Sequence, residues 1–400
     1  MRIAVQRKID QIVGTFLCGI LSLLYFPFVR RSTNPNPEKI LVILLSEMGS
    51  LVLSAPMFAQ LALKYPAASV YLLTFKRNRE IVELMQLVPS EHICIINDAS
   101  FLQFCADCVR GLIRLRREGI DTVIDCELFS RVSSLLSFFC GAGTRVGFHR
   151  HTQEGLFRGN FITRKVLYNP YSHISRQFLT LVAAIDSQTV PKAKSIDTAP
   201  VGALQRLEFS EEVVEEMRSR LKQTYHCPMD KKLVLLYPSG GLIPIRAWPM
   251  ESYVTVAGKL LQAGYAVGII GLQTDRQVAE AIAARLKSSE CMNLAGFTKT
   301  MQDLLVLFNI ASLLITNDGG PGHFTALTPI PAIILFGPET PVLYGSLSPK
   351  AVNMHRQLNC SPCLTAFNHR NSPCDGDNVC LRSIDPQEVM AKAFDLLETQ

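Results

Sequence analysis

The chain returns repeatedly to short apolar runs with no polar alternation. They are KILVILLS (39–46), SVYLLTF (69–75), HICIIN (92–97), DTVIDCEL (121–128), KLVLLYP (232–238), YAVGIIG (265–271), SLLIT (312–316) and AIILFG (332–337). A strand with one wet face alternates, so runs like these must be covered on both faces. Helix-length segments separate them, at 52–65, 81–88, 101–117, 250–263, 274–287, 301–308 and 323–328. Strand, helix and strand in this order predict an α/β chain built on parallel sheets. The pattern stops after 128 and restarts at 232, and 400 residues exceed one ordinary core, so two doubly wound halves are expected. Their strand carboxyl ends would face a cleft, the edge where such sheets bind ligands.

The expected boundaries are an anchor helix at 1–31, a first domain at 38–190, a connecting segment at 191–230, a second domain at 231–345, and a Cys-rich loop with a C-terminal helix at 346–400. Asp385 and Pro386 read as the N-cap and first position of that last helix. The anchor reading rests on IVGTFLCGILSLLYFPFV (12–29), which carries no charge and is flanked by Arg2, Arg7, Lys8, Arg30 and Arg31. Eighteen such residues stand at the lower limit for a bilayer span, and Pro27 would shorten the helix. Spanning and lying in an anionic leaflet both remain open. A net charge of +6 without a Lys/Arg block excludes a nucleic-acid groove and suits anionic small molecules or a membrane face.

Eight of the twelve cysteines (18, 94, 105, 108, 126, 140, 227 and 291) sit in apolar surroundings and read as core residues in a reducing, cytoplasmic compartment. Cys360, Cys363, Cys374 and Cys380 differ, because their spacing suits four ligands around a structural zinc or iron. Two disulfides are the alternative for this set.

The segment SLLITNDGGPGHFT (312–325) runs a buried strand straight into three glycines and a proline. Ordering such a loop is costly, and its glycines at 319, 320 and 322 would let a phosphate approach the backbone at the start of the next helix.

This stretch, continuing as ALTPIPAIILFGPETP, resembles glycosyltransferase family 9, the ADP-heptose:lipopolysaccharide heptosyltransferase family of two-domain GT-B architecture. The segments NLAGFTKTMQDLLVLFNIAS, YPSGGLIPIRAWPMESYVTVAGKLL, TRVGF (144–148) and KILVILLSEMGSLVLSAPMFAQLALKYPAASVYLLT share the resemblance, which covers roughly 39–400. It implies that Asp318, Gly319, Gly320 and His323 hold a nucleotide-sugar diphosphate. Gly319 stands where the family usually has Ser or Thr. Arg246, in IRAWP, becomes a phosphate ligand suited to bidentate binding. Asp275, after the strand ending at Gly271, is the ribose candidate, with helix capping as its alternative.

The family's catalytic base is usually the Asp of a Gly-Asp pair, but this chain has Gly49-Ser50. Ser50 cannot accept the acceptor's proton without a base of its own. Glu47 in the same loop and Glu127 at the end of DTVIDCEL are the substitutes. Arg131, one turn beyond Glu127, and Arg150, in the basic segment 147–165, are the acceptor-side candidates.

The resemblance implies an inverting transferase that needs no cofactor for chemistry. It would carry a heptose or related sugar from an ADP-sugar to a lipopolysaccharide core-type acceptor, at the cytoplasmic face of a bacterial inner membrane. Two rivals stay open: a transferase with another nucleotide sugar or acceptor, and a silent membrane-tethered binder of nucleotide sugar.

Overall fold

A computed structural model describes residues 8–25, 36–45, 47–128, 130–152, 157–194, 204–368 and 370–399. The chain divides into two compact units, Met1–Gly202 and Ala203–Gln400.

The first unit begins with a helical segment that passes through a wide turn, Asp10–Gly14, into α1 (Thr15–Tyr25). Then follow β1 (Lys39–Ile43), α2 (Met48–Lys64), β2 (Ser69–Phe75), α3 (Arg79–Leu84), β3 (Ile93–Ile96), α4 (Phe101–Glu118), β4 (Thr122–Asp125), α5 (Arg131–Phe139), β5 (Thr144–His149), β6 (Arg164–Leu167) and α6 (Ile174–Ala183). The strands form one parallel sheet in the order β3-β2-β1-β4-β5-β6. Its core joins Leu41, Ile43, Leu73, Ile96 and Val123 to Leu115 of α4. Local chemistry explains α4: the Ser100 side chain accepts from the Gln103 amide, and Gly119 ends the helix in the left-handed conformation.

The second unit contains α7 (Glu211–Tyr225), β7 (Leu233–Tyr237), α8 (Met250–Gln262), β8 (Ala266–Gly271), α9 (Arg276–Leu286), β9 (Cys291–Ala295), α10 (Met301–Ile310), β10 (Leu313–Asn317), α11 (Gly320–Phe324), β11 (Ala332–Phe336), α12 (Pro341–Tyr344), β12 (Ala351–His355), α13 (Val379–Arg382) and α14 (Pro386–Glu398). Its parallel sheet runs β12-β11-β10-β7-β8-β9. In chain order this is the topology of the first sheet again. Asp385 caps α14 through the Gln387 amide and Pro386 opens it, as the sequence predicts. Val389, Met390, Ala393 and Leu397 of α14 join Trp248, Tyr253 and the inner strands in one core.

Each sheet reverses direction once. In the first, the chain moves outward from β1 through β2 and β3, then returns to lay β4 on the other flank of β1. In the second, β10 returns to the free flank of β7. Loops on either side of such a point part from each other and leave a crevice at the strand carboxyl ends.

At the N-terminus the helix is described as far as Tyr25. Among the described residues no helix is long and apolar enough to cross a membrane, which does not support the spanning form of the anchor. Residues 26–31, with Pro27, Arg30 and Arg31, lie outside the described residues, as do Arg2 and Arg7. What is described is amphipathic. Cys18 and Ser22 are buried, whereas Ile12, Phe16, Leu23 and Leu24 are well exposed. The inner face is fixed by polar contacts. Asp10 Oδ1 accepts from the amides of Arg131 and Val132, both at 2.9 Å, and Ser22 Oγ accepts from the Asn160 amide at 2.8 Å.

Candidate functional site

The reversal point of the second sheet is built around Asn317, the last residue of β10. Its side-chain oxygen accepts from the Trp248 amide and from the Tyr253 hydroxyl, both at 3.0 Å. Its side-chain nitrogen donates to the Ser239 carbonyl at 3.1 Å. One buried amide therefore straps the 238–248 loop to the adjacent strand end. The Trp248 indole, donating to the Ile384 carbonyl at 3.2 Å, fixes the far side of that loop.

The strap leaves Arg246 facing Asp318, the residue after Asn317. The Arg246 Nε to Asp318 Oδ2 distance is 3.4 Å, and Nη2 lies 3.2 Å from Glu339 Oε1. Arg246, Asp318 and Glu339 are all buried, as is His323 in α11. Burial pushes the Glu339 carboxyl up to about 7, against the pull of Arg370 and Arg246. Paired, buried guanidiniums of this kind can turn toward an anion, because a planar fork matches two phosphate oxygens.

The glycines in this loop serve different ends. A Cβ at Gly319 would meet nothing within 4 Å, so that residue leaves the backbone open. A Cβ at Gly322 would come within 3.0 Å of Ile334, so that position is dictated by packing of α11 on β11. Since α11 has only five residues and contains Pro321, its dipole and free amides add little. Arg246 is the stronger anion-seeking group.

Asp275 stands in the turn after the carboxyl end of β8. Its Oδ2 accepts from the Leu272 amide at 2.8 Å and closes the turn before α9. This is the local capping role.

In the first unit, Glu47 and Glu127 flank the matching reversal point, one after β1 and the other after β4. Glu47 holds the N-cap position of α2 with extended backbone, makes no side-chain cap bond, and accepts from the Ser50 amide through its carbonyl at 2.9 Å. Ser50 sits in the first turn of the same helix. Glu127 is engaged differently, for its Oε1 accepts from the Leu45 amide at 2.8 Å and ties the two strand ends together. Beneath them, the buried Asp125 pairs with Arg158 and accepts from the Ser133 hydroxyl at 3.0 Å. Burial raises the Asp125 carboxyl to about 6 despite Arg158.

Arg131 is buried, donates through Nε to the Phe157 carbonyl at 3.1 Å and stands 3.7 Å from Asp10 Oδ2. Its charge is committed to the N-terminal helix. Arg150 is exposed, 5.3 Å over the ring of Phe157. His149, by contrast, is buried and held well below the ordinary imidazole range, at about 3.

All twelve cysteines lie among the described residues, and all are free thiols. Six of the eight expected in the core are buried, while Cys105 and Cys108 are half-buried on α4. In the late set, Cys363 Sγ is 3.1 Å from Ser372 Oγ, and Cys374 Sγ is 3.7 Å from Asp375 Oδ1. Burial raises the Cys380 thiol, and Cys363, Cys360 and Cys374 add to the rise. Among the described residues no three His, Cys, Asp or Glu side chains converge tightly enough to hold a metal ion.

Glu339, Asn317 and Arg370 are prominent here and were not singled out from sequence. Glu339 lies three residues past the end of β11, beside the glycine loop, and that position was the available signal.

A family model described as glycosyltransferase family 9 (heptosyltransferase) matches residues 110–372. Lipopolysaccharide heptosyltransferase 2 of Salmonella typhimurium is 25% identical over 274 residues, covering 67% of this chain and 73% of that one. Lipooligosaccharide heptosyltransferase 2 of Haemophilus ducreyi is 25% identical over 319 residues, covering 78% and 87%. Among solved structures, E. coli ADP-heptose lps heptosyltransferase II superposes with a TM-score of 0.70 at 22% identity, covering 90% of this chain and 99% of that one, a likeness of fold.

Proposed function

The chain belongs to glycosyltransferase family 9, and from that membership we propose its reaction. It transfers a heptose or related sugar from an ADP-sugar to a lipopolysaccharide core-type acceptor. A carboxylate takes the proton of the acceptor hydroxyl, and the freed oxygen attacks the anomeric carbon from the face opposite the diphosphate. The bond to the diphosphate then breaks, and its electron pair leaves on ADP.

The observation that carries the donor half is the buried Arg246 paired with Asp318 at the reversal point between β7 and β10. A cation held there by its neighbours meets the charge growing on the leaving diphosphate without first having to reorganise. In the acceptor half Glu47 is the base. It lies in the same strand-to-helix loop as Ser50, the residue that stands in the place of the family's usual acid. Arg150 lies on the acceptor side.

The exposed apolar face of α1, with basic residues on its flanks in the sequence, supports a helix lying in an anionic leaflet, and we assign the enzyme to the cytoplasmic face of the bacterial inner membrane. The four late cysteines do not converge as described, and a structural zinc or iron would have to draw them together; thiolate sulfur suits either ion and the polar loop around them offers little core of its own. Metal analysis of chelator-free protein tests that assignment, and a folded, metal-free chain rejects it.

Thermal denaturation with ADP-, UDP-, GDP- and CDP-sugars tests the donor. ADP-sugar is expected to raise the melting temperature most, and equal stabilisation by all four would remove the nucleotide assignment. Ser50, in the place of the usual acid, keeps the silent binder in view. Labelled sugar appearing on extracted lipid acceptor excludes it.

A further inference from the structure

The loop between β12 and α13 is fastened to the donor site at both ends. The amides of Cys363 and Leu364 both donate to the Pro338 carbonyl, at 3.0 and 2.8 Å, immediately before Glu339. Inside the loop, Asn368 donates to the Cys363 carbonyl at 2.7 Å, and the Arg370 amide donates to the Thr365 carbonyl at 3.0 Å. At its other end, the Asn378 side chain donates to the Ile245 carbonyl at 2.9 Å, one residue before Arg246. A loop held this way has a defined place for its side chains.

One of those side chains enters the cluster. Arg370 Nε lies 3.6 Å from Glu339 Oε1, the same oxygen that Arg246 reaches at 3.2 Å, and its guanidinium lies 5.3 Å from the Tyr344 ring centroid. Glu339 is 1% exposed, and its second oxygen has no hydrogen-bond partner among the described residues. Two guanidiniums thus share one carboxylate oxygen. Arg246 Nε makes no hydrogen bond among the described residues, so that guanidinium keeps donor capacity for a second anion, and Arg370 reaches the same carboxylate oxygen beside it.

We infer that Arg370 is a second cation of the donor-diphosphate site, carried there by the Cys-rich loop, and that Glu339 is the counterion holding both arginines until the diphosphate arrives. The inference rests on the donor reading of Arg246 and Asp318. It makes the Cys-rich loop part of substrate recognition, with a nucleoside diphosphate as the ligand class.

Two arginines against Asp318 and Glu339 leave the cluster near neutrality, so an arriving diphosphate adds negative charge beside Glu339. The charged groups bearing on that carboxyl are Arg370, Arg246 and Asp318. More negative charge favours its protonated form. Diphosphate binding therefore draws a proton onto Glu339, and affinity falls as pH rises from 6 to 8. A Gln at 339 imitates the protonated state and removes that component.

The test is calorimetric titration of the full chain with ADP and with adenosine, which lacks the phosphates. Wild type is expected to bind ADP more tightly than adenosine. Arg370→Ala should weaken ADP roughly tenfold and leave adenosine unchanged, with Arg370→Lys recovering part of the loss. Glu339→Gln should lack the wild-type decline between pH 6 and 8, and comparison of the two proteins cancels the ionisation of ADP itself. If Arg370→Ala binds ADP like wild type while Arg246→Ala does not, the second-cation inference fails and the donor reading stands. Equal loss of ADP and adenosine in Arg370→Ala would mark a merely structural role and overturn it. Wild-type protein that prefers adenosine, or does not discriminate, would remove the donor reading together with the inference.

Discussion

Among single residues, Asn317 has the clearest consequence. Its side chain satisfies the Trp248 amide in a buried place, so Asn317→Ala leaves that N–H without an acceptor and should cost about 2 kcal/mol. Denaturant unfolding would measure the loss, and an ADP titration should weaken with it, since the loop that aims Arg246 is released. Unchanged stability would mean that the strap does not hold the loop. The base has its own test: Glu47→Gln is expected to abolish turnover while leaving donor binding intact, and unchanged turnover would exclude Glu47. Legibility at this scale followed local context. Arg246 and Asp318 stand in motif segments and can be found from sequence. Arg131 cannot be judged that way, because its charge is spoken for by Asp10, 121 positions earlier. Glu339 stands between a proline and a threonine, and nothing beside it in the sequence marks it. Only tertiary folding buries it between two arginines.

Strands β1 to β4, β7, β8, β10 and β11 were plain in the sequence because burial on both faces demands unbroken apolar runs. β5, β6, β9 and β12 were not read as strands, for different physical reasons. β5 carries Arg145 in a buried position, where the guanidinium donates to the Phe161 carbonyl at 2.8 Å. No neighbour in sequence announces that partner. β6, β9 and β12 are sheet edges, and Arg, Lys, Asn and His interrupt them because one flank is unpaired. The N-terminal helix was legible as apolar, but its inward contacts were not. If its outer face meets lipid, the double substitution Leu23→Glu and Leu24→Glu should sharply reduce co-sedimentation with vesicles containing anionic phospholipid. These side chains are exposed, so the melting temperature should barely move. Equal sedimentation of variant and wild type would reject the leaflet assignment.

For the molecule as a whole, sequence pattern conveyed two halves and their class. Two identical strand orders, each with its own reversal point, emerge only from three-dimensional pairing. Stability against pH is also a property of the whole chain, and His149 makes it testable. Burial, chiefly, holds this ring near pKa 3, so the folded form stays neutral while the unfolded chain takes up a proton below about pH 6.5. Its contribution is present above pH 6.5 and is lost as pH falls toward 3. Between pH 6.5 and 5 the advantage of wild type over His149→Gln should shrink by about 2 kcal/mol, read from denaturant midpoints. Asp125, raised to about 6, acts oppositely between pH 4 and 6, and comparison of the two proteins cancels it. A constant difference would show that the ring is hydrated in solution. Asp10 bears on how such experiments are prepared. A laboratory trimming the greasy leader to improve yield would also strip the carboxylate that accepts the first two amides of α5 and faces Arg131. The shortened protein would gain solubility and lose a fitted component of its first unit, so poor activity in it would say little about the native enzyme.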